Sequence, residues 1–301
     1  MGSFSIPDNA EIYIHTVRDR CMDLVRFHIW DGLGQIDIKT WLKNFNGIEE
    51  RYFAACILDY MNFRSEKQTQ ALAHQIFTRP LLNLLKEKGM DLKGHRDLIE
   101  LMRSRGNPKI RLVKVGSRHD RPSKSSDIIL RLFRRGYLGF NDNLFISPEE
   151  VDREKASGIE CFIFVDDFLG TGDQFMGMVK EYGLQLVFNN VIAVYAPLVA
   201  HEKGVAKLTS ECTNLDIVCG EYLNDDSSIF NTAFKDNLNS AAIAQSFYKD
   251  LLVKYGFNFS DDNLFGYGNL ALVYGFSHAV PDSSLQIIWD DQNNWTPLIK
   301  K

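Results

Sequence analysis

The stretch Gly158-Ile159-Glu160-Cys161-Phe162-Ile163-Phe164-Val165-Asp166-Asp167-Phe168-Leu169-Gly170-Thr171-Gly172-Asp173-Gln174 decides the fold class. Cys161 to Val165 is an unbroken apolar run, as expected of a strand covered on both faces of a parallel sheet. The strand is expected to end on the two acids. A Gly-Thr-Gly turn follows, and Phe175, Met178, Val179 and Tyr182 then recur at helical spacing. Acids on the carboxyl end of such a strand sit where open α/β sheets bind ligands. A glycine turn opening a helix lets backbone N–H groups converge on an anion. Carboxylates beside a phosphate cradle predict a ligand that carries both sugar hydroxyls and phosphate.

Upstream, Ile110-Arg111-Leu112-Val113-Lys114-Val115 reads as a second strand, and Asp127 to Arg135 as a helix with Ile128, Leu132 and Phe133 inward. Between them runs a polar, basic loop, Gly116-Ser117-Arg118-His119-Asp120-Arg121-Pro122-Ser123-Lys124-Ser125-Ser126. Arg118, Arg121 and Lys124 suit a diphosphate, since guanidinium groups offer paired donors. Ser126 is placed to cap the helix.

Together these pieces resemble the type I phosphoribosyltransferases, in which an apolar strand, Asp-Asp, a short spacer, Thr-Gly and a helix form the ribose-phosphate loop. The resemblance implies phosphoribosyl pyrophosphate (PRPP) as ligand. Asp166 and Asp167 would hold the ribose hydroxyls, and Gly170, Thr171, Gly172, Asp173 and Gln174 would line the 5′-phosphate. Gly116, Ser117, Arg118, Arg121 and Lys124 would meet the diphosphate. Mg2+ would be held through the substrate, with no direct protein ligand. Gly170, Asp173 and Gln174 stand where Thr, a small residue and Thr are usual. A carboxylate at 173 is unfavourable next to phosphate unless it points away. Two other readings of Asp-Asp stay open. Receiver domains of response regulators also carry such a pair, but need a later strand ending in a phosphorylatable Asp, and Leu186 to Ala196 instead runs into Tyr195-Ala196-Pro197. The acids could also be a solvated cap on an ordinary strand–turn–helix.

The first hundred residues read as helical. A helix over 8–30 is followed by a Gly32-Leu33-Gly34 turn, a short helix over Ile38 to Phe45, and a stronger one over Glu49 to Phe63. Helical pattern resumes from Glu66 towards Lys88, broken by Pro80, and again at Asp97 to Arg103. After Pro108 the strand–helix alternation begins. Ser147-Pro148-Glu149-Glu150 is a capping box, and Leu184 to Phe188 and Val191 to Tyr195 are apolar pieces split by Asn189-Asn190. A helix over 201–211 and a strand over Leu215 to Cys219 complete the pattern. The alternation implies an α/β fold, a mostly parallel sheet with helices on both faces. The expected organisation is a helical module of winged-helix-like or bundle type over 1–105 and a phosphoribosyltransferase-like domain with a C-terminal extension over 106–301.

The tail extends the resemblance to a subgroup of phosphoribosyltransferase-like proteins of prokaryotic conflict (anti-phage) systems. Its members are similar in a Trp-Leu-x-x-Phe-like piece (Trp41-Leu42-Lys43-Asn44-Phe45-Asn46), Gly-Tyr-Gly (Gly266 to Gly268), His278-Ala279-Val280-Pro281-Asp282 and Trp295-Thr296-Pro297-Leu298. His278 is more simply a loop histidine than a base.

Composition narrows the function classes. No apolar run is long enough to span a bilayer, and Asp8, Glu11 and Arg18 interrupt any signal segment. The 5 cysteines are scattered without a C-x-x-C pair, which predicts reduced core residues, a cytoplasmic protein and no zinc site. Net charge is −5, yet residues 1–135 carry 24 Lys and Arg against 16 Asp and Glu, and 103–135 alone carries 11 against 2. Such density predicts an anionic partner, either a nucleotide or a nucleic acid backbone, against the plainer reading of a solvated basic face, and the resemblance adds a defence protein engaging 103–135. Three classes therefore remain: an enzyme transferring a ribosyl phosphate, a non-catalytic nucleotide sensor, and an effector that binds nucleic acid or protein.

Overall fold

A computed structural model describes residues 3–106, 108–117, 125–135, 138–234 and 238–300. In chain order come α1 (Ala10–Arg26), α2 (Gln35–Leu42), α3 (Ile48–Asp59), β1 (Asn62–Arg64), α4 (Glu66–Thr78), α5 (Pro80–Glu87) and α6 (His95–Arg103). Next are β2 (Ile110–Lys114), α7 (Ser125–Arg135), β3 (Phe145–Ile146), α8 (Val151–Ala156), β4 (Cys161–Leu169), α9 (Asp173–Glu181) and α10 (Leu184–Phe188). The remainder holds β5 (Ile192–His201), α11 (Glu202–Glu211), β6 (Leu215–Ile217), β7 (Glu221–Leu223), α12 (Ile229–Thr232), α13 (Ala241–Lys254) and β8 (Tyr274–Phe276).

Backbone contacts divide the chain into Met1–Glu66 with Asn224–Lys301 and, between them, Lys67–Leu223. This differs from a boundary near residue 105. Helices α4 to α6 group with the sheet, and the C-terminal segment groups with the N-terminus.

The central unit is a parallel sheet of order β3-β2-β4-β5-β6, with β7 also on β5. Helices flank it, as the alternation predicts. Under α8 to α11, Val113, Val115, Phe162, Phe164 and Tyr195 pack with Phe175, Val187, Phe188 and Leu208. Their neighbours Leu112, Ile163, Val165 and Val194 are also buried, and strand alternation sends them to the other face. Helix α7 packs on β2 and β4, and Phe77, Phe133 and Phe140 form an aromatic cluster in the same unit. A strand apolar on both faces was legible because both faces are covered.

Several local expectations change in detail. Pro80 opens α5 at its first turn rather than merely breaking a helix, since its missing N–H is no loss there. The pattern read as a helix to Phe63 stops at Asp59, and Asn62–Arg64 pairs in parallel with β8. Leu184–Phe188 is helical, while Ile192–His201 is one long strand that runs through Pro197. Pro197 lacks a ladder N–H, and it falls where β5 changes partner from β6 (at Tyr195) to β7 (at Val199).

The other unit has an aromatic core. Phe4, Phe53, Phe234 and Phe247 stack or meet edge-on, with Phe230 and Tyr248 beside them. Two of the four short pieces that mark the tail resemblance meet here. Trp41 and Trp295 both donate their indole N–H to the Ile287 carbonyl, at 2.7 and 2.9 Å. Phe45 lies edge-on to Trp295, and Asn44 exchanges side-chain hydrogen bonds with the Thr296 backbone. Buried indoles satisfied in this way are a structural latch. Gly266 has φ +79° against the Ser283 carbonyl, a position without room for a side chain. His278 stacks on Phe276, with ring centroids 5.1 Å apart.

Candidate functional site

The acids lie inside β4, with two more strand residues after them, because the β5 ladder continues through Phe168↔Val199 to Leu169↔Ala200. The expectation that the strand ends on them is therefore corrected: the longer β5 extends the ladder past the last β2 pair, Lys114↔Val165. Continued past that pair, the register puts Gly116 level with Asp167. The strand preceding the basic loop and the strand carrying the acids are thus adjacent and parallel. Gly116 is buried and Ser117 half-buried. Arg118, Arg121, Ser123 and Lys124 lie outside the described residues, as do the side chains of Ser125 and Ser126.

Asp166 is 2% exposed and Asp167 6%. Asp166 Oδ1 accepts from the Asp167 backbone N–H at 3.0 Å, and its Oδ2 accepts from the Tyr195 hydroxyl at 3.2 Å. Burial, reinforced by the neighbouring Asp167 carboxylate, pushes the Asp166 carboxyl well above the usual range. Burial likewise pushes the Tyr195 hydroxyl up, aided by the charge of Asp166. Asp166 therefore holds its proton to higher pH than an ordinary carboxyl. Tyr195 is held for this by stacking on Phe175, 4.2 Å away between centroids, which belongs to the first turns of α9. Reading the strand alone did not assign Tyr195 a role. Its signal was the alternation of β5, which puts it on the face shared with Phe164.

The turn Gly170-Thr171-Gly172 leads into α9, with Gly172 in the left-handed region at φ +86°. Thr171 donates its hydroxyl to Asp173 Oδ2 at 2.6 Å, and the Asp173 N–H reaches back to Thr171 Oγ1 at 3.4 Å. Lys207 of α11 makes an ion pair with Asp173 Oδ1. The carboxylate that conflicts with a phosphate cradle is thus met by a cation that the motif does not contain. Gln174 is exposed on the first turn of α9. Helix α11 is pressed onto the turn at Gly204, where a Cβ would collide with the Gly170 carbonyl oxygen and lie 2.7 Å from Leu169 Cδ1. Its start is capped by His201, whose Nδ1 accepts from the Lys203 N–H at 3.2 Å.

A family model, PRTase-CE, matches residues 38–301. The chain belongs to this phosphoribosyltransferase-like family. The PRTase-CE match takes in all of the sheet unit and most of the aromatic one, so the aromatic unit is part of the family pattern and not an appendage to it. No curated protein and no solved structure matches the chain.

Other features bear on alternatives. Among the described basic residues of 103–135, Arg103 donates to the Leu138 carbonyl and Lys109 pairs with Glu160. Arg111 is buried against Glu154, and Arg134 pairs with Asp142 over the Phe145 ring. These cations point to different internal partners. All five cysteines are free thiols, four of them buried. Among the described residues, no group of three or more His, Cys, Asp or Glu could hold a metal ion. No helix of the described residues is long and apolar enough to cross a membrane.

Proposed function

We propose that this PRTase-CE protein binds PRPP, or a closely related ribose-phosphate nucleotide, at the carboxyl ends of β2 and β4. We further propose that it acts in the cytoplasm as a component of a prokaryotic antiviral defence system. The observation that carries the ligand reading is the adjacency of β2 and β4 in parallel. It puts Gly116-Ser117, where the basic loop begins, beside Asp167, and the Gly170–Gly172 turn continues from the same strand. In such a sheet, loops from neighbouring carboxyl ends share one crevice.

In this reading Asp167 accepts hydrogen bonds from the ribose hydroxyls. Asp166 holds its neighbour through the backbone N–H, and its raised proton affinity eases the repulsion within the pair. The turn and the N-terminus of α9 receive the 5′-phosphate, and Gly116-Ser117 with Arg118, Arg121 and Lys124 receive the diphosphate. Oxygen donors as few as these suit a hard cation held through water and phosphate, with Asp167 as the residue that would hold it, rather than a protein cage. Mg2+ bound this way would neutralise the departing diphosphate. In transfer, the bond from C1 of ribose to the diphosphate oxygen breaks with its electron pair on the leaving group, and a bond from C1 to the acceptor forms. The protein's share is positioning and charge neutralisation.

A second reading, a non-catalytic sensor using the same pocket, is favoured by the engagement of Thr171 with Asp173. Binding of nucleic acid by 103–135 is less well supported, because Arg103, Lys109, Arg111 and Arg134 are spent on internal partners. Calorimetric titration with PRPP and Mg2+, with pyrophosphate release followed in parallel, tests the proposal. Binding with release supports the enzyme, binding without release supports the sensor, and no binding rejects both.

A further inference from the structure

We propose that Asp173 is a built-in competitor for the anion at the Gly170–Gly172 turn, and that Lys207 is the cation for which the two compete. The proposal rests on the reading of this turn as a phosphate site. Two side chains at the turn can donate to a bound phosphate, the Thr171 hydroxyl and the Lys207 ammonium. Both are committed to the same carboxylate, Thr171 to Oδ2 at 2.6 Å and Lys207 to Oδ1. Asp173 thus stands in for an anion at the start of α9.

Lys207 is delivered there by the fold. Helix α11 meets the turn at Gly204, where only hydrogen fits against the Gly170 carbonyl, and a Cβ on Gly172 would sit 3.4 Å from the Leu208 side chain. His201 sets where the helix begins. Lys207 follows Gly204 by three residues, so it lies on the same face of α11. Both members of the pair are open to water and ligand, with side chains 32% and 43% exposed for Lys207 and Asp173. A phosphate dianion carries more charge than the carboxylate and can take over both donors, leaving Asp173 to turn outward. The site then favours doubly charged phosphates over singly charged anions, and its affinity is held below what the turn alone would give.

The test uses the full chain and two probes, inorganic phosphate and ribose 5-phosphate, titrated calorimetrically. Removing a unit charge beside a bound dianion is expected to tighten binding about tenfold, so D173N and D173S should both bind more tightly than wild type. K207M should weaken binding by a similar factor, and D173N combined with K207M should lose the gain. Melting curves on each variant confirm folding, which the exposure of both side chains favours. Wild-type binding that D173N and D173S leave unchanged or weaken overturns the competitor, as does K207M binding as wild type. If no variant binds either probe, wild type included, the phosphate reading of the turn itself falls, and the competitor with it.

Discussion

At the amino-terminal end of β2, Arg111 is 6% exposed, and at the far end of β4 Asp166 and Asp167 are 2% and 6% exposed. Depth is the same, but the treatment of charge is opposite. Arg111 Nε donates to Glu154 at 2.8 Å, and its Nη1 donates to the Pro108 and Ile110 carbonyls. Fixed acceptors thus meet the buried guanidinium from more than one side. The acids instead set two like groups side by side, and burial with their mutual repulsion raises the proton affinity of Asp166. A buried charge with its counter-charge built in holds a fold together. Buried carboxyls that repel each other gain from a ligand.

The largest effect should come from breaking the paired end. Glu154→Ala strands a buried guanidinium and should cost about 3–5 kcal/mol, read from chemical denaturation. Replacing both Arg111 and Glu154 with apolar residues of similar size should recover most of it. A cost within experimental error for Glu154→Ala would erase the contrast between the two ends.

Next in size, Asp167→Asn should weaken PRPP binding at least about tenfold, roughly 1.4 kcal/mol, while leaving the melting temperature near wild type. Loss of stability with unchanged affinity would make Asp167 another structural charge.

Asp166→Asn sharpens the comparison through pH. The folded carboxyl titrates above its unfolded value of about 3.9, so between the two values the native chain holds the extra proton. Wild-type stability should therefore fall as pH rises from about 4 through the raised folded value. The substituted amide cannot ionise, so the variant should lack that fall and gain on wild type as pH rises. Parallel stability curves for the two proteins would show that Asp166 is ionised in the fold.

The smallest change is Tyr195→Phe, which removes one hydrogen bond to Asp166 Oδ2 and should cost about 1 kcal/mol. Ring stacking on Phe175 survives the substitution. A larger loss, or a loss of ligand affinity with stability intact, would move Tyr195 from support of Asp166 to contact with the ligand.

The strand–turn–helix from Cys161 to Glu181 was legible because its signals are local: an apolar run, a glycine turn, then apolar residues at helical spacing. The parallel sheet followed from the alternation of such units, and the latch pieces around Trp41 and Trp295 were visible as motifs, though not as partners. The extra length of β4 was not legible, because it depends on how far β5 runs beside it. A Pro at 197 argued against any such extension, and only the change of partner on the other side of β5 reconciles it.

By itself, then, the sequence determined the elements and the class of sheet, and it singled out Asp166, Asp167 and the Gly170–Gly172 turn, since periodicity and turn chemistry are written within a few residues. Tertiary structure alone decided that β2 lies beside β4 and that both chain ends belong to one unit. It also decided that Asp166 lies buried against Tyr195 with its proton affinity raised, and that Lys207 answers Asp173. Each of these joins residues tens to hundreds of positions apart, where the chain carries no repeating pattern and only burial and packing choose the partner.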